Sequence, residues 1–341
     1  MSKKRETAML GLGVVGAGHW GRNLVRNFRD LGVLRAVSDP DDGALAPIRA
    51  EGLTTHHSFD ALLEDPQINA VAIASPAVTH ADLAARALAA GKHVFVEKPL
   101  CLDPRDGPPL GRAASRNGLT LMVGHLLLYH PAYRSLKRLV DAGDLGDLRY
   151  IYSNRLSLGR IRREENALWS FAPHDVSMML DLTGQMPHTA MTSGGTYLLP
   201  MVADTTLSSF SFSNDLRAHI FVSWLHPYKD HRVVVVGTEG MAAFNDTAAG
   251  PNKLLLYRHR VEWDGDLPSV DRADASAVPY DDDEPLRLEC QHFLGCIATG
   301  ATPRSNVEEA TRVLSVLDAC QRSLTVGAPV SIDLPEGALV R

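Results

Sequence analysis

The stretch AMLGLGVVGAGHWGRNLVRNFRDLGVLRAVSD, residues 8–39, decides how the chain folds. Its apolar opening reads as a strand. Gly16, Gly18 and Gly21 follow as G-x-G-x-x-G. Leu24, Val25, Phe28 and Leu31 then recur at helical spacing, and Gly32 stops that helix. A second apolar run ends at Asp39, 18 residues past Gly21. In this strand–turn–helix–strand context the three glycines serve, in order, the tight turn, close backbone approach to a pyrophosphate, and helix–strand packing. Helix N–H groups and the helix dipole then hold the anion. Asp39 is placed to accept bonds from ribose hydroxyls. Pro40, Asp41 and Asp42 offer no positive charge for a 2′-phosphate, so NAD is expected over NADP. His19 and Trp20 lie inside the same turn and join the expected cofactor contacts.

The same rhythm continues outward. Strand-like runs at 70–76, 93–97 and 119–125 alternate with an Ala-rich helix at 80–90 that Gly91 closes. Such alternation implies right-handed βαβ crossovers and a parallel sheet. After residue 125 the pattern changes. Pro131 opens one helix, where proline is tolerated. Runs with strand alternation follow at 148–158, 204–213, 216–226, 231–246 and 253–263, with no helix expected between them. Residues 264–285 read as a polar surface loop, and 286–300 and 307–324 as a closing helix pair. The expected fold is an α/β Rossmann domain over 1–125. An α+β domain with a large, mostly antiparallel open sheet follows over 126–341, for substrate binding and oligomerisation.

Composition removes several function classes. Of 341 residues, 34 are Lys or Arg and 40 Asp or Glu, a net charge of −6, which opposes a nucleic-acid surface. Cys101, Cys290, Cys296 and Cys320 form no C-x-x-C pair, and the histidines show no metal-ligand spacing, so no metal is expected. Isolated thiols fit a reducing cytoplasm. The basic opening MSKKRETAM leads into a glycine-interrupted run with no cleavage motif, which reads as a first strand and not a signal peptide. No run is long and apolar enough for a membrane span.

Two further stretches sit where α/β sheets bind ligands, at the C-terminal ends of strands. ASPAVTHAD (74–82) brings Ser75, Pro76 and His80 there, and GKHVFVEKPL (91–100) brings Glu97 and Lys98. Proline after Lys98 restricts the lysine to extended backbone and aims its ammonium. Together GAGHWG, the Ser-Pro strand end with His80, and VEKPL resemble the Gfo/Idh/MocA family of oxidoreductases. The resemblance implies a Rossmann domain for NAD(P), a second domain with a large open sheet, and assembly as a homodimer or homotetramer through that sheet. It also implies that Lys98 touches nicotinamide and substrate and takes part in proton transfer. Ser75, Pro76, His80 and Glu97 are then expected near the cofactor.

The family's third signature has aspartates four residues before and three after a histidine. Here it reads ENALWSFAPHDVSMML: His174 matches, Ser170 and Ser177 replace the aspartates, and Asp175 is a new carboxylate. His174 is therefore expected to act with Lys98. The stretch 124–137 and the region 152–175 are similar to the UDP-N-acetylglucosamine 3-dehydrogenase branch, which acts on nucleotide-linked amino sugars. Arg160, Arg162 and Arg163 stand as guanidinium forks for a diphosphate, or as a solvated cluster paired with Glu164 and Glu165. Tyr129, His130 and Asn154 are further sugar-contact candidates, and Trp169 either stacks on a sugar face or fills core. The expected activity is NAD-dependent oxidation of a secondary hydroxyl, C3 of a UDP-linked N-acetylhexosamine. A free-sugar or polyol (inositol-like) dehydrogenase and a non-catalytic NAD-binding regulator stay open as alternatives.

Overall fold

The computed structural model describes residues 10–338. Ala8 and Met9, the expected start of the first strand, and the opening weighed as a signal peptide lie outside the described residues. Two compact units emerge, each built from more than one stretch of chain. The first takes the described residues up to Gly124, Leu286–Thr311 and the tail from Glu336; the second takes His125–Pro285 and Arg312–Pro335. A linear reading gives 286–311 to the second domain, whereas these residues pack in the first unit.

The first unit runs β1 (Leu12–Val15), α1 (Gly21–Asp30), β2 (Leu34–Ser38), α2 (Asp42–Ala50), β3 (Thr54–His56), α3 (Phe59–Glu64), β4 (Ala70–Ile73), α4 (His80–Ala89), β5 (His93–Glu97), α5 (Gly107–Arg116) and β6 (Leu121–Gly124). The six strands form one sheet in the order β3-β2-β1-β4-β5-β6, and its paired strands are parallel. Leu12, Val14, Val71, Ile73, Val94, Phe95 and Val96 are fully buried, as expected of parallel strands covered on both faces. The strand order reverses between β1 and β4. Sheets of this topology bind ligands at that switch point, beyond the strand ends, and the glycine turn and Ser75 follow the ends of β1 and β4.

The second unit contains α6 (Pro131–Asp141), β7 (Leu148–Leu158), α7 (Ala167–Thr183), β8 (Thr189–Gly195), β9 (Thr205–Ser211), β10 (Arg217–Ser223), β11 (Leu225–Gly237), β12 (Met241–Asn245), β13 (Leu254–Tyr257), β14 (Arg260–Asp264), β15 (Leu267–Asp271) and β16 (Ser276–Ala277). Helix α8 (Pro285–Thr299) belongs to the first unit from Leu286 onward. Helix α9 (Val307–Val326) begins in the first unit and ends in the second, and β17 (Val330–Ser331) closes the large sheet. That sheet has nine strands in the order β16-β13-β12-β11-β7-β10-β9-β8-β17, antiparallel except for the pair β7 and β10.

Two expectations for this unit are corrected. Helix α7 lies between β7 and β8, where the sequence pattern predicts no helix. Asn166 caps its start by accepting the Trp169 N–H at 3.2 Å, and Gly184 ends it in the left-handed region at φ 65°. Most of its side chains are buried, so no polar stripe betrays the helical period. Residues 264–285 are not purely loop: β15 pairs with β14, and β16 with β13.

Candidate active site

In the first unit the glycine turn connects β1 to α1. Gly16 sits at φ +95°, and a side chain there would stand 2.7 Å from the Ala74 carbonyl oxygen. A side chain on Gly21 would collide with the Gly16 carbonyl. The turn is therefore compressed against the end of β4 and tolerates no larger residue at either position. Gly18, by contrast, faces open space, and His19 and Trp20 beside it are exposed. The first turn of α1 carries no acidic side chain, so nothing competes with an anion at its N-terminus. Asp39, half-buried at the end of β2, accepts the Ala17 N–H at 2.7 Å and the Asp41 N–H at 2.9 Å. It thereby holds the glycine turn to the β2–α2 turn. These features fit a dinucleotide: an unopposed helix N-terminus for the pyrophosphate and a fixed carboxylate for the ribose.

The next groups lie at the ends of β4 and β5. Ser75 bonds the Thr79 hydroxyl at 2.7 Å, and Pro76 is exposed beside it. His80 is 1% exposed, with Nδ1 2.7 Å from the Pro99 carbonyl oxygen and Nε2 2.9 Å from that of Ser75. Burial lowers its pKa, the two carbonyls oppose that, and the Lys98 charge adds to the lowering. With both ring nitrogens turned to backbone, His80 clamps β4's end to the loop after β5 and presents neither nitrogen outward. The Lys98–Pro99 bond is cis. Lys98 is half-buried, whereas Glu97 is only 8% exposed and accepts the Trp20 indole N–H. Burial raises the Glu97 pKa to about 7, against the Trp20 bond and the Lys98 charge, which favour the carboxylate.

The second unit holds the other candidates. His174 is half-buried in the interior of α7, directly after Pro173, and not at a helix start. Its carbonyl accepts the Ser177 hydroxyl at 2.9 Å. Trp169 is half-buried in the first turn of the same helix. Arg160, Arg162 and Arg163 are exposed on the connection before it. Arg162 pairs with Glu165 at 3.0 Å, while Arg160 and Arg163 carry no ion pair among the described residues. Asn154 donates to Asp230 at 3.0 Å.

Three candidates turn inward. Asp175 is 1% exposed and takes Arg155 Nε at 2.6 Å, Arg155 Nη2 at 3.2 Å and the Ser153 hydroxyl at 2.5 Å. Tyr129 is buried. His130 caps α6 by accepting the Ala132 N–H at 3.1 Å and meets the Phe244 ring edge-on at 5.1 Å. Burial pushes its pKa down to about 4, against the pull of Asp246. All three thus lie in the interior of the second unit, where Asp175 is tied to Arg155 and Ser153 and His130 caps α6.

Sequence reasoning missed the groups around them. Arg155 Nη1 lies 3.3 Å from His231, and His231, His130 and Lys253 surround Asp246 at 3.7, 3.7 and 3.8 Å. Burial acts to raise the Asp246 pKa, but His231, Arg155, His130 and Lys253 together hold it at about 2. Only the pairing of β7 with β11 brings Arg155 opposite His231, so spacing along the chain carries no signal for it. Among the described residues no cluster of three or more His, Cys, Asp or Glu could hold a metal, and no helix is long and apolar enough to cross a membrane.

Fold and glycine turn define an NAD-binding oxidoreductase. The profile of the oxidoreductase family with an NAD-binding Rossmann fold matches residues 7–125, and the GFO/IDH/MocA C-terminal domain matches residues 133–243. The chain belongs to the Gfo/Idh/MocA family of NAD(P)-dependent oxidoreductases. It is 29% identical to the scyllo-inositol 2-dehydrogenase (NAD(+)) of Bacillus subtilis, across 98% of both chains. To the UDP-N-acetylglucosamine 3-dehydrogenase of Acidithiobacillus ferrooxidans it is 28% identical, across 84% of this chain and 88% of that one. A solved structure of the latter superposes with a TM-score of 0.81 over 93% of this chain and 98% of the other, at 26% identity.

Proposed function

We propose that the protein is a dehydrogenase that oxidises a secondary hydroxyl of a sugar, C3 of a UDP-linked N-acetylhexosamine such as UDP-N-acetylglucosamine. The observation that carries the reading is Lys98. It stands at the C-terminal end of β5 in the same unit as the glycine turn, with its loop held by His80. NAD, when bound, supplies the acceptor for the carbinol hydrogen, which leaves as hydride. Lys98 in its neutral form takes the hydroxyl proton as the carbonyl forms. His174 is the second candidate for that proton. Arg160 and Arg163, exposed and without an ion pair among the described residues, support diphosphate recognition through guanidinium forks. Similarity to the UDP-N-acetylglucosamine 3-dehydrogenase supports the same substrate. Similarity to the scyllo-inositol dehydrogenase favours a second reading, oxidation of a free polyol. A panel of UDP-sugars, free sugars and inositols, followed by absorbance of reduced cofactor, separates the two. Turnover of UDP-N-acetylglucosamine with none of free N-acetylglucosamine supports the first reading. Comparable kcat/KM for free and linked sugars rejects it, and no turnover of any member rejects both.

A further inference from the structure

Asp204, just before β9 in the second unit, is fully buried and pairs with no cation among the described residues. A lone interior carboxylate is costly unless hydrogen bonds satisfy it. Three donors do so here. Oδ2 accepts the backbone N–H of Tyr197 at 2.6 Å and of Leu198 at 2.9 Å. Oδ1 accepts the Trp224 indole N–H at 2.6 Å. Trp224 is the largest fully buried side chain among the described residues. Its backbone N–H also donates to the Asp204 carbonyl at 3.2 Å. The carboxylate therefore locks the loop after β8 to the residue between β10 and β11.

The same block grips a further segment at both ends. The connection from β7 to α7 carries Arg160, Arg162 and Arg163, all exposed. At its start the Gly159 N–H donates to the Trp224 carbonyl at 3.1 Å. A side chain on Gly159 would stand 3.0 Å from the Phe171 ring and 3.7 Å from the Trp224 Cβ, so the backbone is seated against both. At its end the Ala167 N–H donates to the carbonyl of Ala203, the neighbour of Asp204, at 2.9 Å. Between these anchors Arg160 to Glu164 lie in solvent. An exposed segment of this kind takes its placement from its ends.

We infer that Asp204, acting through Trp224, is a positioning residue for nucleotide recognition: the two side chains hold both ends of the connection and so set where Arg160 and Arg163 stand. The inference rests on the proposed reading of those arginines as the diphosphate contacts. Asp204 and Trp224 are buried and do not touch the ligand. Guanidinium groups on a backbone that is already fixed lose less freedom on binding, so the lock raises affinity without adding a contact. The competing account is that Asp204 and Trp224 only stabilise the fold. The two accounts part on one point. If the lock acts through the arginines, breaking it weakens diphosphate binding only while the arginines are present.

The test is a double-mutant cycle, read by calorimetric titration of UDP into the NAD-saturated protein. UDP presents the diphosphate without the sugar. Trp224→Phe keeps an aromatic ring in the core and removes the indole donor. It should weaken UDP binding about 10-fold and leave NAD affinity unchanged. Arg160→Ala with Arg163→Ala should weaken UDP at least as much. Adding Trp224→Phe to those two should then change UDP affinity by less than about two-fold. Tm, by contrast, should fall equally when Trp224→Phe enters either background, because the buried bond is lost in both. If Trp224→Phe binds UDP as the parent does while the arginine variant is impaired, the inference is overturned and the diphosphate reading stands. A further 10-fold loss in the triple variant also overturns it, since Trp224 then acts elsewhere. If the parent does not bind UDP, or the arginine variant is silent, the diphosphate reading fails and the inference falls with it. Should Trp224→Phe not fold, the parent still decides. By linkage, a ligand held by the connection must protect the lock that places it. Saturating UDP should slow hydrogen exchange of the Tyr197 and Leu198 amides, which sit on Asp204, by about 10-fold or more. Exchange unchanged by UDP overturns the inference.

Discussion

Replacing Asp175 by asparagine removes one charge from the interior of the second unit and leaves the Arg155 cation behind. The Asp175 and Arg155 side chains are 0% and 8% exposed, and the contact is bidentate at 2.6 and 3.2 Å. Breaking a buried pair from one side typically costs about 3–5 kcal/mol. Here Arg155 retains an indirect partner, because it reaches His231 and its charge is felt at Asp246, so the lower end applies, about 3 kcal/mol. For a unit of this size the loss lowers Tm by about 6–12 °C. The assay is urea unfolding followed by circular dichroism, with a thermal scan beside it. The double replacement Asp175→Leu with Arg155→Met removes both charges and should recover most of the loss. A loss below about 1 kcal/mol in the single variant, or a double variant no better than the single, would refute the structural role given to Asp175.

Other outcomes follow from the same geometry. NAD should bind tighter than NADP by calorimetric titration, and Asp39→Ala should narrow the gap; Arg49 and His57, the nearby basic groups, are already paired with Asp42. NADP binding as well as NAD in the parent would contradict this. Replacing Arg160 and Arg163 together by alanine should lower kcat/KM for the UDP-sugar by about 10-fold or more, the scale of lost charge-assisted bonds, and leave NAD affinity unchanged. A silent double variant would mean that both arginines are solvated surface charges. His130 is held neutral in the fold down to about pH 4, against an ordinary value of 6.5. The unfolded chain therefore binds the extra proton first, and this contribution to stability is complete above pH 6.5 and lost as pH falls toward 4, about 3 kcal/mol in all. His130→Asn keeps the helix cap and should flatten the acid side of the stability profile in unfolding curves; an unchanged acid slope would show that His130 does not drive it.

The first unit is legible in the sequence wherever function pins local residues. Gly16, Gly21, Asp39 and the Glu97–Lys98–Pro99 strand end are short-range signals, because each depends on a turn or a strand end within a few residues. Helix α7 is hidden for the opposite reason: buried nearly all round and carrying Pro173, it lacks both a polar face and an uninterrupted pattern. Helix α2 is masked by Pro47 in its interior, and β3 and α3 offer too few residues for a period to emerge. Helix α8 is visible as a helix, but its return to the first unit depends on packing that no local pattern encodes. The Arg155–Asp175 pair and the groups around Asp246 likewise arise from strand register between β7 and β11. Asp175 is visible as a carboxylate beside His174, yet only its burial against Arg155 reveals its role.

The central claim is that Lys98 moves the proton in an NAD-dependent oxidation, and one measurement addresses it directly. Lys98→Met keeps side-chain length without a titrating group. With saturating NAD and UDP-N-acetylglucosamine, formation of reduced cofactor should fall by about 100-fold or more, the scale of a positioned acid–base group, while calorimetry gives an NAD affinity within a few-fold of the parent. Turnover by Lys98→Met within a few-fold of the parent, with NAD bound equally well, would contradict the account.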